Sequence, residues 1–172
     1  MLNKGWLRRL LRRLGGLPPA RPTGRPARPP AAGPVPAPAD PGRARDWAGP
    51  VQISWAPHDD GKADPGEVVW TWVPFEEDPG HGKDRPVVVV GRPVGGRGED
   101  LAVVMLSSKD HAGDRRWLVL GTGAWDRQGR VSSVRLDRVL VVAPHAVRRQ
   151  GAALERERFD RVGSALRQLH HW

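Results

Sequence analysis

The sequence predicts a mainly β fold: a small antiparallel barrel with a C-terminal helix on its open side, preceded by a Pro/Arg-rich tail without regular structure. Three observations carry this. Short β-branched runs recur from Val68 to Val142, with turn residues and not helical segments between them. One apolar stripe of helical spacing, Phe159, Val162, Leu166 and Leu169, follows them. Eleven of the 18 prolines fall in residues 15–50, and proline, which lacks an amide donor and fixes φ, leaves neither helix nor ladder there.

Taken in order, residues 2–14 (LNKGWLRRLLRRL) put Leu2, Trp6, Leu7, Leu10, Leu11 and Leu14 on one helical face and Lys4, Arg8, Arg9, Arg12 and Arg13 on the other. The pattern is a short basic amphipathic helix, able to lie on an anionic membrane surface or to contact nucleic acid, or to remain unformed in water. Residues 15–50 read as a disordered linker. Residues 51–172 form the folded body.

Within the body, Val68–Val73 alternates as a strand, and 75–84 (FEEDPGHGKD) reads as a charged loop. Pro86–Gly91 is a short β-branched run bounded by turn residues, hence a buried strand. Leu101–Leu106, Trp117–Leu120 and Val134–Val142 complete the set, with a loop over 121–133. After Pro144 the pattern becomes helical.

Charge and composition exclude several functions. The 172 residues hold 28 basic and 19 acidic side chains, a net of +9. Residues 1–46 contain ten basic and two acidic residues, so they account for +8 of it, and the body is nearly neutral. Only four basic residues are lysine, and such an arginine bias also arises from GC-rich coding. Without cysteine there is no disulfide, thiolate site or cysteine nucleophile. No apolar run approaches the roughly 20 residues of a membrane span, and arginines interrupt the N-terminal apolar positions, so a cytoplasmic location is expected. Asp110, His111 and Asp114 share a loop and His170–His171 lie near the C-terminal end, but neither set has ligand spacing. No metal or other cofactor is expected. The glycines at 91–98 join strands and do not open a helix, unlike a phosphate-binding loop. Glu76, Glu77 and Asp78 read as a solvated acidic loop.

Residues 65–92 (PGEVVWTWVPFEEDPGHGKDRPVVVVGR) carry a Pro-Gly-acid-Val-Val-Trp strand, a variable loop and a Gly-x-x-Arg-Pro-Val strand start. LAVVMLSSKDH ends its strand in Ser107–Ser108, and SSVRLDRV covers Ser132–Val139. In this order and spacing the motifs resemble the PemK/MazF family, the endoribonuclease toxins of bacterial toxin–antitoxin pairs, over about residues 65–162. The GKDRPV, SSKDH and WDRQGR segments look like an actinobacterial branch.

The resemblance implies an SH3-like barrel, usually homodimeric, that cuts single-stranded RNA without metal. The ribose 2′-hydroxyl attacks its own phosphate and leaves a 2′,3′-cyclic phosphate. Arg85 matches the family's loop arginine and would hold the phosphate. Ser107 stands where the family usually has threonine, keeps the hydroxyl and would donate to the phosphate. Arg135 and Asp137 match an Arg-x-Asp pair that one branch uses as acid and base. Being two apart on a strand, they point the same way. That branch's loop histidine has no clear counterpart, His81 lying nearer Gly82. Lys83, Ser108, Lys109 and Arg138 are the further residues expected to contact RNA. A cognate antitoxin is implied, with DNA contact only through its complex. Each site residue also has a structural alternative: an Arg85 ion pair with Asp84 or Glu77, a plain strand end at Ser107, and a surface ion pair of Arg135–Asp137 with Arg138. The rival function is a non-catalytic module of the same fold that binds nucleic acid or a partner protein. A membrane-surface role for residues 2–14 would leave 65–162 without purpose.

Overall fold

The computed structural model describes Val35–Pro36 and residues 42–172, with residues 35–36 and 149–151 described by their backbone alone. The expected helix at 2–14 and most of the 15–50 segment lie outside these residues. The strands are β1 (Val35–Pro36), β2 (Arg45–Asp46), β3 (Val51–Ile53), β4 (Glu67–Pro74), β5 (His81–Pro93), β6 (Leu101–Ser107), β7 (Trp117–Gly121), β8 (Ser132–Val142) and β9 (Arg149–Ala153). A 3-10 turn at Pro144–Ala146 precedes β9, and α1 spans Arg156–His170. All pairings are antiparallel, in the order β2-β8-β6-β5-β4-β9, with β1 and β3 added to β5 and β7 to β8.

The central strands are buried on both faces, which explains why their sequences are apolar runs and not alternations. Val87, Val88, Val89 and Val90 are all fully buried. Val88 and Val90 join Val68, Val104, Val134 and Leu136 under Phe159, Val162 and Leu166 of α1. Val87 and Val89 point the other way, with Val69, Val73, Val103, Met105, Leu140 and Val142. Full burial of one such side chain is worth about 1.5–3 kcal/mol, so this two-sided sandwiching is the main source of the body's stability. Leu169, the last position of the expected stripe, is instead 46% exposed, and α1 ends one residue later. Gly163 is buried in its place, with Ile53 so near that an added Cβ would sit 3.3 Å from it.

Four further expectations change. The chain after Pro144 is not yet α-helical: a 3-10 turn and β9 come first, and α1 begins only at Arg156. Among the described residues the sheet does not close: no ladder joins β9 to β2 or β7. Arg158 and Arg161 of α1 donate to the Thr122 and Val119 carbonyls along β7, so the helix serves backbone groups that a closing strand would have taken. Residues 81–84 are strand, not loop, since β4 and β5 pair from Val68↔Val88 to Pro74↔Gly82. Gly and charged residues there read as a turn, but Gly82 is required by contact: a Cβ would lie 2.6 Å from the Trp72 ring. Finally, order begins before Val51. Arg45 and Asp46 pair with Val141 and Leu140, Ala44 is 2% exposed, and Val35–Pro36 pairs with Gly82–His81. Segments this short carry no periodicity, so composition alone assigned them to the linker.

Candidate functional site

One face of the sheet changes character along its length. Val69, Val73, Val87, Val89, Val103 and Met105 make its apolar half. Because alternate strand residues share a face, Arg85 continues the side of Val87, Ser107 that of Met105, and Thr71 that of Val69 and Val73. On β8, Leu136 and Val134 face α1, so Ser133, Arg135 and Asp137 face the opposite way, toward Arg85. Thr71 pairs with Arg85, Ser107 with Ser133 and Trp117 with Arg135. The β5–β6 ladder ends at Val87↔Met105, and Arg85 and Ser107 each lie two residues beyond it on the same face. A polar row thus crosses β4, β5, β6 and β8 where the apolar half ends.

Arg85 is half-buried and takes part in no hydrogen bond or ion pair with a described residue. Burial, and then the positive charges of Arg138 and Arg135, lower its pKa from the ordinary arginine value. Arginine still remains protonated, so what the shift expresses is an uncompensated cation. Neither alternative partner holds it: Asp84 is paired with Arg148, and no contact with Glu77 exists among the described residues.

The neighbouring arginines are fully engaged. Arg135 Nε lies 2.8 Å from Asp137 Oδ1 and Nη2 3.0 Å from Oδ2, while the same Nη2 reaches Glu76 Oε1 at 2.9 Å. These carboxylates raise the Arg135 pKa, against the cost of burial. The Arg135 hydrogen bonds in turn hold Asp137 below the usual carboxylate range. Arg138, which the sequence places among the RNA-contacting residues, is turned inward. Its side chain is 6% exposed. Nε and Nη2 bind Asp46 Oδ1 and Oδ2 at 2.6 and 3.1 Å, and Nη1 binds the Pro74 carbonyl at 2.9 Å. It ties β8 to β2 and to the end of β4, and so fixes the base of the 75–80 loop that delivers Glu76.

Ser107 closes β6. Its Oγ accepts the Lys109 amide at 3.2 Å and lies 3.0 Å from His111 Nε2. The His111 ring stacks on Trp117, with centroids 3.6 Å apart and planes 7° from parallel. Sequence reasoning set His111 aside as loop; its one signal was a histidine four residues after a strand-end serine. Lys83 shares the Arg85 face, while Ser108 and Lys109 are exposed just beyond Ser107. The structure therefore gathers Arg85, Ser107, Arg135 and Asp137 on one surface, with Lys83, Ser108 and Lys109 at its margin. It adds Glu76, His111 and Trp117. Among the described residues no three His, Asp or Glu side chains converge as metal ligands, and no helix is long and apolar enough to cross a membrane.

A family model described as the PemK-like, MazF-like toxin of type II toxin–antitoxin systems matches residues 64–170. No curated protein matches the chain.

Proposed function

Since the chain belongs to the PemK-like, MazF-like toxin family of type II toxin–antitoxin systems, we propose that it is a metal-independent endoribonuclease that cuts single-stranded RNA and leaves a 2′,3′-cyclic phosphate. The family implies an antitoxin partner and an RNA substrate. The observation that carries the reading is Arg85: a half-buried guanidinium with no described partner, on the same face as a hydroxyl, beside two arginines already neutralised. A phosphate supplies the missing negative charge. Its planar oxygens suit the guanidinium fork, with Ser107 as a further donor.

In this mechanism Arg85 and Ser107 hold the non-bridging oxygens as charge grows on them in the transition state. The bidentate hold of Arg135 on Asp137 makes the two a fixed, mutually neutralised ion pair more than an acid and a base, because a carboxylate held below its usual range is a poor proton acceptor. Lys83, Ser108 and Lys109 extend the contact to flanking phosphates. A homodimer, DNA contact through the antitoxin complex and a cytoplasmic location belong to the same proposal.

The test is incubation of the purified chain with mixed-sequence RNA transcripts in excess EDTA, followed by end-group analysis. Cleavage to cyclic-phosphate ends supports the reading. Cleavage that EDTA abolishes and Mg²⁺ restores refutes the metal-free mechanism. Binding without cleavage transfers the case to the non-catalytic module.

A further inference from the structure

The cleavage step needs a group that takes the proton of the attacking 2′-hydroxyl, and most titratable side chains on this half of the face are committed elsewhere. Asp137 and Glu76 hold Arg135. Asp114 is bound by Arg116 through Nε at 3.0 Å and Nη2 at 2.8 Å, which lowers its pKa to about 2. His81 Nδ1 lies 2.7 Å from Asp78 Oδ2. His111 differs: the one side-chain hydrogen bond of its ring among the described residues is with the Ser107 hydroxyl, on the face that Arg85 shares.

We propose that His111 is a catalytic residue of RNA cleavage, its Nε2 serving as the general base for the ribose 2′-hydroxyl. The assignment rests on the phosphate site described above. Two features besides the hydrogen bond support it. The Trp117 stack fixes the plane of the imidazole, and Trp117 is itself fixed by pairing with Arg135 on β8. Ser107 Oγ already accepts the Lys109 amide, so its own proton is free to point at Nε2 or at a substrate oxygen. When a phosphate docks on Arg85, the Ser107 hydroxyl turns to it and uncovers the Nε2 lone pair beside the reacting ribose.

The step balances as follows. The proton of the 2′-hydroxyl passes to Nε2 while the O2′–P bond forms. The P–O5′ bond breaks with its electron pair on O5′, which takes a proton from water. Histidine is the side chain whose ordinary titration range suits such a transfer near neutrality. The charged groups around this ring are Lys109, Asp110, Asp114 and Arg116 from its own loop, Arg135 and Asp137 from β8, and Arg85 from β5.

The experiment uses the full chain. A cut site is first mapped on a long mixed-sequence transcript, then placed in a short oligonucleotide for single-turnover rates from about pH 5 to 9 in EDTA. Wild type should show a rate that rises with pH through an acid limb. His111→Ala and His111→Gln should lose about 100- to 10,000-fold and flatten that limb, with RNA affinity within about threefold of wild type, as expected when a transition-state interaction alone is removed. Added imidazole should restore part of the His111→Ala rate. With sulfur replacing O5′ as the leaving atom, the His111→Ala deficit should persist, because a base is still required.

His111→Ala within about tenfold of wild type, while Arg85→Ala is inactive, overturns the assignment and leaves the phosphate site standing. A deficit that disappears with the sulfur leaving group makes His111 an acid and overturns its role as base. A wild-type chain that leaves every transcript intact overturns the assignment together with the reading beneath it.

Discussion

Arg85 and Arg138 are close enough to influence each other, yet their replacement should have opposite consequences. Arg138 is 6% exposed and spends Nε, Nη1 and Nη2 on Asp46 and the Pro74 carbonyl. Arg138→Met deletes that buried anchor and leaves the carbonyl unserved. Losing these charge-assisted bonds, with Arg138 buried but Asp46 exposed, costs about 2 kcal/mol, on the order of 5 °C or more in melting temperature for a body of this size. Arg85 has no described partner, so Arg85→Met removes a partly desolvated, repelled charge and keeps the packing of the stem. Stability should stay within about 1 kcal/mol of wild type, or rise. Activity should divide the other way. Arg85→Met forfeits a donor to the transition-state phosphate, worth about 100- to 1000-fold in rate. Arg85→Lys should recover only part of this, since an ammonium lacks the two-pronged fork. The assays are urea denaturation and single-turnover RNA cleavage on the same preparations. If Arg85→Met unfolds several kcal/mol more easily than wild type, Arg85 serves the fold and the reasoning fails. If it cleaves within about tenfold of wild type, the phosphate is held elsewhere.

Four further outcomes follow from the same geometry. Glu76→Gln should strengthen RNA binding and steepen its salt dependence, because Arg135 loses a competing carboxylate; weaker binding in a salt titration would show that Glu76 supports the site. Asp46→Ala should destabilise by about 1–3 kcal/mol through the loss of charge-assisted hydrogen bonds to Arg138, and deletion of residues 1–46 should do at least as much; an unchanged melting curve would refute the anchor. The Arg135 hydrogen bonds hold the Asp137 carboxyl below the ordinary aspartate range, so its contribution is complete above the unfolded pKa and is lost as pH falls through the lower folded value; Asp137→Asn should therefore flatten the stability profile below about pH 4, as read by acid denaturation. Gly82→Ala would force a Cβ to 2.6 Å from Trp72 and closer still to the Val73 carbonyl, costing about 1–3 kcal/mol by overpacking, and a melt at the wild-type temperature would contradict the packing described.

The strands of the core were legible because their residues report their own burial. Val87–Val90, Leu101–Leu106 and Val134–Val142 are apolar in runs too short for helices and too long for turns, and each became part of β5, β6 or β8. The edge pieces β1, β2, β3 and β9 were not legible. Two to five residues hold no period, and β2 exists because β8 offers it an edge. The His81–Asp84 segment shows a different failure: its glycine and charges describe a turn in isolation, while pairing with β4 makes it strand.

The sequence by itself determined the hydrophobic partition and the family, and through the family's motifs it singled out Arg85, Ser107, Arg135 and Asp137 as candidates. These are local quantities: composition, spacing and side-chain type along a few residues. Tertiary structure alone decided which of the charges are spent and which is left over. Arg135 meets Glu76 across 59 residues and Arg138 meets Asp46 across 92, while Arg85 finds no such carboxylate. His111 moved from loop to site because a strand end and Trp117 hold its ring against Ser107. The physical reason is that hydrophobic burial is non-directional and leaves a pattern along the chain, whereas ion pairs and hydrogen bonds need partners within a few ångströms, and only the folded chain supplies them.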